Sequence, residues 1–323
     1  MKQSFIKFAP ILKEKIWGGE KLIHYLQKSS NQKNIGESWE ISDVPGSVSV
    51  VANGELKGKK LSELIKTYKG SLVGNKVYRH FKNKFPLLIK YIDAKEALSI
   101  QLHPQDDLAL KRHNSLGKTE MWYVMQADKQ ANLIVGFKKD IDKQQYLEKL
   151  NNKQLLDILN VDMVKKGDVY FIPAGRVHAI GAGVMLAEIQ QSSDITYRIY
   201  DWDRKDKQGN SRELHTDLAL SSINYKAIQS YRTEYTKNQN TRNRLVACPY
   251  FTTNILPVKG SFRVNNSTDS FKIYMCVEGK VNFKAQDETE QLRVGQTLLV
   301  VSDLEEFNIS SQQDSELLEV YIP

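Results

Sequence analysis

The chain has 323 residues, 41% hydrophobic and 26% charged, long enough for one large or two moderate domains, which excludes small stapled scaffolds, collagen-like repeats and low-complexity chains. Its 46 Lys and Arg exceed its 38 Asp and Glu, giving +8, but the basic residues are spread along the chain; this suits an anionic ligand and argues against a nucleic-acid partner, for which a basic stripe is expected. Two cysteines, Cys248 and Cys276, are too few for a disulfide framework, so two buried thiols in a reducing, cytoplasmic compartment are expected.

The first eight residues are interrupted by Lys2 and Lys7 before an apolar run of signal-peptide length can form, so no secretion signal is expected. Apolar runs such as 85–89 and 297–301 are about a quarter of what a membrane-spanning helix needs, and no membrane partner is expected. Most of the chain consists of short β-prone runs punctuated by Gly, Pro, Asn and Asp. Helical spacing is confined to 61–66, one short amphipathic helix, and to 141–160, one or two helices with Leu147, Leu150, Leu155, Leu156 and Leu159 on an apolar face.

From 98 to 103 the residues alternate, so a strand puts Ser99, Gln101 and His103 on one face and Leu98, Ile100 and Leu102 on the other. A Gln and a His two apart on one face can reach a single cation; standing alone, such a His is ordinarily a hydrogen-bonded strand-end residue. The run 117–124 is a turn into a strand, with the carboxylate of Glu120 where the apolar pattern begins. Gly167 then turns into an apolar strand, and Pro173-Ala174-Gly175 is a tight turn that delivers His178. Two strand-like segments follow. In the first, Glu188 shares a face with Leu186 and Gln190; in the second, Thr196, Arg198 and Tyr200 share one. A hairpin joining them sets Glu188 near Arg198 across the mouth of a barrel, where a structural ion pair between the two is the plainer alternative.

The polar stretch 226–244 lacks either period and marks the expected domain boundary, with a metal-binding domain over 1–235 and a smaller β domain over 236–323. In the second part, 271–277, Glu278-Gly279 and 280–284 form a hairpin signal, Gly295 leads into an apolar strand, and 317–322 is strand-like again. The Gly295 segment repeats the grammar of Gly167 and its strand. The expected fold is therefore mainly β, two related jelly-roll barrels with a few inserted helices, the second stripped of polar site residues. His24, His80, His113 and His215 have no motif around them and are expected in surface or core roles.

Gly167 with Pro173-Ala174-Gly175 and His178 resembles the second cupin signature, and Gln101-Leu102-His103 with Glu120 looks like the first with its leading His replaced. In finer detail the chain is similar to the type I mannose-6-phosphate isomerases in their short bacterial form. The resemblance rests on Ile16-Trp17-Gly18-Gly19, Gly36-Glu37-Ser38-Trp39-Glu40, Phe85-Pro86-Leu87-Leu88-Ile89-Lys90, the run from Leu98 to Pro104, Gly117-Lys118-Thr119-Glu120-Met121-Trp122, and the stretch from Pro173 to Arg204. These blocks cover roughly the first two thirds of the chain. Long family members carry an extra helical domain, and Tyr197-Arg198-Ile199-Tyr200 stands here in place of one of their segments, so Arg198 is matched by its spacing from Glu188 and Asp194.

The resemblance implies a zinc-dependent cupin enzyme that interconverts mannose 6-phosphate and fructose 6-phosphate, with Gln101, His103, Glu120 and His178 as ligands of one Zn²⁺. Such a donor set is compatible with Mn²⁺, Fe²⁺ or Co²⁺ as well. Proton transfer through an enediol needs a base, for which Glu188 is the candidate, and a cation facing the developing oxyanion, for which Arg198 is. Lys118 or Asp194 can assist ring opening, and Lys90 and Ser99, with Arg198, are the expected substrate-binding groups, the first two at the phosphate. Two other readings, a different metal cupin enzyme such as a dioxygenase and a non-catalytic sugar sensor, are weaker; the sensor predicts an appended helix-turn-helix that the strand-like C-terminal part does not offer.

Overall fold

The computed structural model describes residues 1–205 and 208–323. The expected architecture is the one formed: mainly β, with two barrel-like units and a few helices between strands. The first unit is made of two sheets. One has six strands in the order Val169–Ile172, Glu120–Ala127, Val184–Gln191, Leu87–Ala94, Ile11–Gly19, Ile35–Ile41; the other has five in the order Leu159–Met163, Asn132–Phe137, His178–Ile180, Ile100–Leu102, Tyr197–Tyr200. Ile92, Trp122, Val124 and Leu186 of the first sheet pack against Leu133, Val135 and Ile180 of the second to form the lower interior of this barrel.

The six-stranded sheet is covered on its other face too. Ile89, Tyr91, Met121, Tyr123 and Ile189 pack against Ile255, Ile273, Met275 and Leu318 of the C-terminal unit. Every residue of Leu87–Ala94 and of Val184–Gln191 is accordingly buried, which is why these strands lack the apolar-polar alternation of a half-exposed strand. The C-terminal unit is an eight-stranded sheet curled around its own core of Leu256, Tyr274, Phe283, Leu298, Phe307 and Leu317. It is completed from the far end of the chain, since Phe5–Ile6 pairs antiparallel with Thr297–Val300 and Phe5 sits inside that core.

Two expected hairpins do not form. Lys272–Glu278 and Lys280–Ala285 both pair with the long strand Glu306–Tyr321, not with each other, because Gly279 (φ +74°) bends the chain onward where a side chain would collide with Ser315. The hairpin lies one strand later, between Lys280–Ala285 and Glu288–Arg293. Likewise Val184–Gln191 and Tyr197–Tyr200 belong to opposite sheets, so they face one another across the barrel instead of pairing.

The helix expected at 61–66 spans Leu61–Tyr68, and 141–160 contains Lys143–Asn151 and Leu155–Ile158 followed by a strand from Leu159. Its anchor is Tyr146, fully buried, while Leu156 is 42% exposed. Helices Asn75–Phe81 and Asp106–His113 lacked an apolar stripe; the second buries Ala109 and carries acids in its first turn and bases in its last, matching the helix dipole. The stretch 226–242 forms no helix and is pinned to the first barrel by Tyr231 Oη, which donates to Phe137 O (3.0 Å), and Tyr235 Oη, which donates to Gly167 O (2.7 Å). Both cysteines are free, Cys276 buried and Cys248 half-buried. Among the described residues no helix is long and apolar enough to cross a membrane.

Candidate active site

Strand register assembles the first half of the site. Gln101 lies directly opposite His178 on one side and Arg198 on the other. Ile100 and Leu102 are fully buried on the far face, so Gln101 points into the barrel as the alternation requires. His178 is delivered by the turn through Gly175, whose φ of +86° and whose missing Cβ, which would lie 2.5 Å from Ser222 O, both demand glycine. The Gly175 amide donates to His103 O (2.8 Å), so the turn that carries one imidazole is fastened to the residue that carries the other. Glu120 begins its strand opposite Gln190 and Ile172.

These residues converge. Glu120 Oε2 lies 3.4 Å from His103 Nε2, Glu120 Oε1 lies 3.5 Å from His178 Nε2, and one donor atom from each of the three falls within 4.8 Å of the others. Both rings are oriented by their other nitrogen, His103 Nδ1 on Ile195 O (2.8 Å) and His178 Nδ1 on Arg176 O (2.9 Å), which leaves each Nε2 with a lone pair facing Glu120. Burial and the Lys118 ammonium push the His103 pKa down to about 3, and burial lowers His178 too, so both rings are neutral near pH 7. Burial alone would raise Glu120, but Lys118 and the two imidazoles hold it well below the usual carboxylate range. His103 Nε2 and Glu120 Oε2 are buried without a hydrogen-bond partner. Neutral imidazoles, an ionised carboxylate and orphaned donor atoms at one point fit a divalent ion. Gln101 stands beside them, its Nε2 3.4 Å from His178 Nε2 and its Oε1 accepting from Ser99 Oγ at 3.2 Å; turning the amide over presents the oxygen to the same point.

A cavity of about 150 Å³ opens above this point. Lys90, Ser99, Gln101, Lys118, His178, Glu188, Asp194 and Arg198 all line it, while His103 and Glu120 sit behind the wall, in reach of His178 and Lys118. Glu188 is held between Lys90 Nζ (3.1 Å) and Trp122 Nε1 (2.9 Å). Its ion-pair partner is thus Lys90, directly opposite in the neighbouring strand, and not Arg198. Burial and the nearby Glu120 push the Glu188 pKa up, against the pull of Lys90 and Lys118; burial would deprotonate Lys90, but Glu188 and Glu37 keep it charged. Lys118 Nζ is 3.4 Å from Glu120 Oε2. Arg198 is half-buried. Its Nη1 donates to Glu213 O (2.8 Å), its Nε is buried without a partner, and its backbone is clamped by His215, whose N donates to Arg198 O (2.7 Å) and whose Nδ1 accepts from Arg198 N (3.2 Å). Asp194 is exposed at the rim.

Several wall residues had been given no role, among them Lys15, Trp17, Glu37, Trp39 and Arg212. Glu37 accepts from Trp39 Nε1 (2.8 Å) and lies 3.4 Å from Lys15; burial pushes it up, but Lys90, Lys15 and Trp39 outweigh this and bring it to about 2. The alternation through Gly36-Glu37-Ser38-Trp39-Glu40 could have placed Glu37 and Trp39 on one face. Nothing around Arg212, which pairs with Asp201 (Nε to Oδ2, 2.6 Å), gives such a signal. Of the four unassigned histidines, His24 and His80 are surface residues, the latter against the Phe81 ring, His113 donates to or accepts from Tyr197 Oη (2.8 Å), and His215 supports Arg198.

Two sheets forming a nearly closed barrel, with three buried groups able to hold a metal converging inside it beneath a charged cavity, define the class: an enzyme of the cupin type. Family descriptions agree along the chain, "Phosphomannose isomerase type I, catalytic domain" matching residues 5–154 and "Mannose-6-phosphate isomerase, cupin domain" matching 241–321. The chain is 35% identical over 288 residues to mannose-6-phosphate isomerase of Streptococcus mutans, covering 89% of each, and 33% identical over 308 residues to mannose-6-phosphate isomerase ManA of Bacillus subtilis, covering 94% of each. The crystal structure of the mannose 6-phosphate isomerase from Bacillus subtilis superposes with a TM-score of 0.89 at 32% identity, covering 99% of both chains. The chain belongs to the type I mannose-6-phosphate isomerase family.

Proposed function

We propose that this enzyme interconverts D-mannose 6-phosphate and D-fructose 6-phosphate, in mannose metabolism, at a single Zn²⁺ held by Gln101, His103, Glu120 and His178. The observation that carries the zinc site is the triad of His103, Glu120 and His178, buried and mutually within 4.8 Å with both Nδ1 atoms committed to backbone carbonyls. Zinc there would supply a Lewis acid without redox chemistry, which suits a redox-neutral isomerisation.

The chain's own residues account for the rest. Glu188 moves the proton between C2 and C1 by way of an enediol, its pKa raised by burial toward the working range of a general base. Lys90 fixes Glu188 in place. This narrows the role expected of Lys90, because a group 3.1 Å from the base cannot also meet a phosphate at the other end of the sugar. The dianion instead falls to Arg198 and Ser99. Lys15, Lys90, Lys118 and Arg212 each have a carboxylate within 4.0 Å, whereas Arg198, half exposed toward the mouth, has none among the described residues. Lys118 or Asp194 passes a proton to the ring oxygen at opening. The substrate, a small sugar phosphate, fits a basic-walled cavity inside a chain of the cytoplasmic kind, and the division at 1–235 and 236–323 sets the metal-binding barrel apart from its companion except for Phe5–Ile6, which belongs to the companion's sheet.

The test is metal analysis of the purified chain paired with an assay of both directions of interconversion, before and after chelation. Activity lost on chelation and restored by Zn²⁺ supports the reading; turnover indifferent to chelation in a metal-free chain ends it. Arg198→Ala is expected to raise KM for mannose 6-phosphate about 10–100-fold with metal content intact, the loss of a charged hydrogen-bonding partner; an unchanged KM moves the phosphate elsewhere.

A further inference from the structure

The turn from Gly117 to Glu120 carries both Lys118 and Glu120, and its shape is fixed from outside the barrel. Asp106, at the start of the helix Asp106–His113, accepts through Oδ1 from the Gly117 amide (2.8 Å) and from Gln191 Nε2 (3.0 Å). Gln191 in turn brackets the next residue but one: its Oε1 accepts from the Thr119 amide (2.8 Å) and its own amide donates to Thr119 O (3.1 Å). Thr119 Oγ1 accepts from the Ala174 amide (3.3 Å), in the turn that delivers His178. Gly117 must be glycine for this, since a Cβ there would lie 2.7 Å from the Asp106 amide. The residues on either side of Lys118, Gly117 and Thr119, and through them the approach to Glu120, are therefore tied to one carboxylate, that of Asp106.

The other oxygen of Asp106 is not used within the first barrel. Oδ2 accepts from Tyr250 Oη at 2.8 Å, and Tyr250 lies between the strands Asn243–Ala247 and Thr252–Asn265 of the C-terminal unit. We infer that the C-terminal unit takes part in shaping the metal site, with Tyr250 and Asp106 as positioning residues that hold the Gly117–Glu120 turn, and so Glu120, in its ligating geometry. The inference rests on the reading of His103, Glu120 and His178 as ligands. It differs from a plain interdomain fastening, which would add stability without touching the turn.

The experiment uses the full chain, its Tyr250→Phe, Asp106→Asn and doubly substituted variants, and Zn²⁺ as the probe. The zinc dissociation constant is measured by competition with a chelating dye, and amide hydrogen exchange is followed across 114–121 in the metal-free protein. Asp106→Asn is expected to weaken zinc about 10–100-fold, as loss of an outer-shell partner does, and Tyr250→Phe about 3–10-fold. The double variant is expected to be no weaker than Asp106→Asn, because the hydroxyl acts through the carboxylate. Exchange at Gly117 and Thr119 rises in each. Parental affinity and parental exchange in Tyr250→Phe, or losses that simply add in the double variant, overturn the inference. If the parent itself binds no zinc, the site reading has failed, and the exchange measurement still decides whether Tyr250 positions the turn. Should Asp106→Asn not fold, Tyr250→Phe, which keeps the ring and loses one hydroxyl, decides both measurements.

Discussion

His178 commits one ring nitrogen to the Arg176 carbonyl and turns the other toward Glu120, and His103 does the same with Ile195. Removing one imidazole leaves Glu120 a charged group buried beside a hole. His178→Ala is expected to lose stoichiometric metal and turnover together while the barrel still folds, checked by elemental analysis and circular dichroism; retained metal at the parental level would remove His178 from the ligand set. Lys90→Ala strips Glu188 of its counter-charge in a buried setting. The expected result is a kcat at least about tenfold lower with KM nearly unchanged, since a misplaced or protonated carboxylate impairs the chemical step. A raised KM at constant kcat would instead return the phosphate to Lys90. The four proposed ligands were legible in the sequence through the resemblance to the cupin signatures, which alternation and one tight turn, both local rules, make visible. The Lys90–Glu188 pair was not, because it depends on Leu87–Ala94 lying beside Val184–Gln191, and strand order is written in no single segment.

Among the elements, the turn at Pro173-Ala174-Gly175 bears on both imidazoles through the Gly175–His103 hydrogen bond. Gly175→Ala forces a side chain into the Ser222 carbonyl at a left-handed φ, at an expected cost of at least about 1 kcal/mol. Urea denaturation should show this loss together with weakened metal binding; a variant with parental stability and parental metal affinity would show that the turn adapts freely. The same glycine chemistry misled the reading further along. Glu278-Gly279 has the composition of a hairpin turn, but Gly279 is used to pass from one stretch of a long partner strand to the next, and the true reversal occurs at Gln286-Asp287. Turn composition reports that the backbone bends, and the partner on Glu306–Tyr321 decides where it goes. Helix Asp106–His113 was missed for a related reason: with Ala109 as its one buried residue it has no apolar stripe, and it is held by hydrogen bonds to neighbouring segments.

At the scale of the whole molecule, the sheet between the two units is buried on both faces, so its polar members must be partnered inside. The first barrel answers with the Lys90–Glu188 pair and Glu37, the second with Glu319, fully buried and accepting from Arg242, Tyr274 and Asn254. The second barrel thus keeps buried polar groups of its own while lacking the polar site residues of the first, as expected. Its network is closed on itself, and among the described residues the one cluster able to hold a metal lies in the first barrel. Glu37 carries a pH consequence. Its folded pKa, about 2, lies below the unfolded value, so its stabilising contribution is complete above roughly pH 4.5 and disappears as pH falls toward 2. The contribution is about 3 kcal/mol, so the difference in unfolding free energy between the parent and Glu37→Gln should shrink by that order between pH 5 and pH 2. A difference constant across that range would show that Glu37 is not held ionised by its neighbours. Fold class was legible from punctuation and period, yet the union of the two units through a shared core was hidden, because uniformly buried strands carry no alternation to announce which face meets what.

The pairing of Phe5–Ile6 with Thr297–Val300 has a temporal side. A ribosome releases Phe5 and Ile6 long before Thr297–Val300, so the nascent polypeptide emerges with those two apolar residues lacking their partner strand for the whole of the synthesis between them. The second barrel cannot close in advance of that moment, although the opening segment already has partners just after it, Ala52 N donating to Lys7 O (2.8 Å) and Phe8 bridging to Val51. Closure of the second barrel thus waits until Thr297–Val300 has been made and has met Phe5–Ile6.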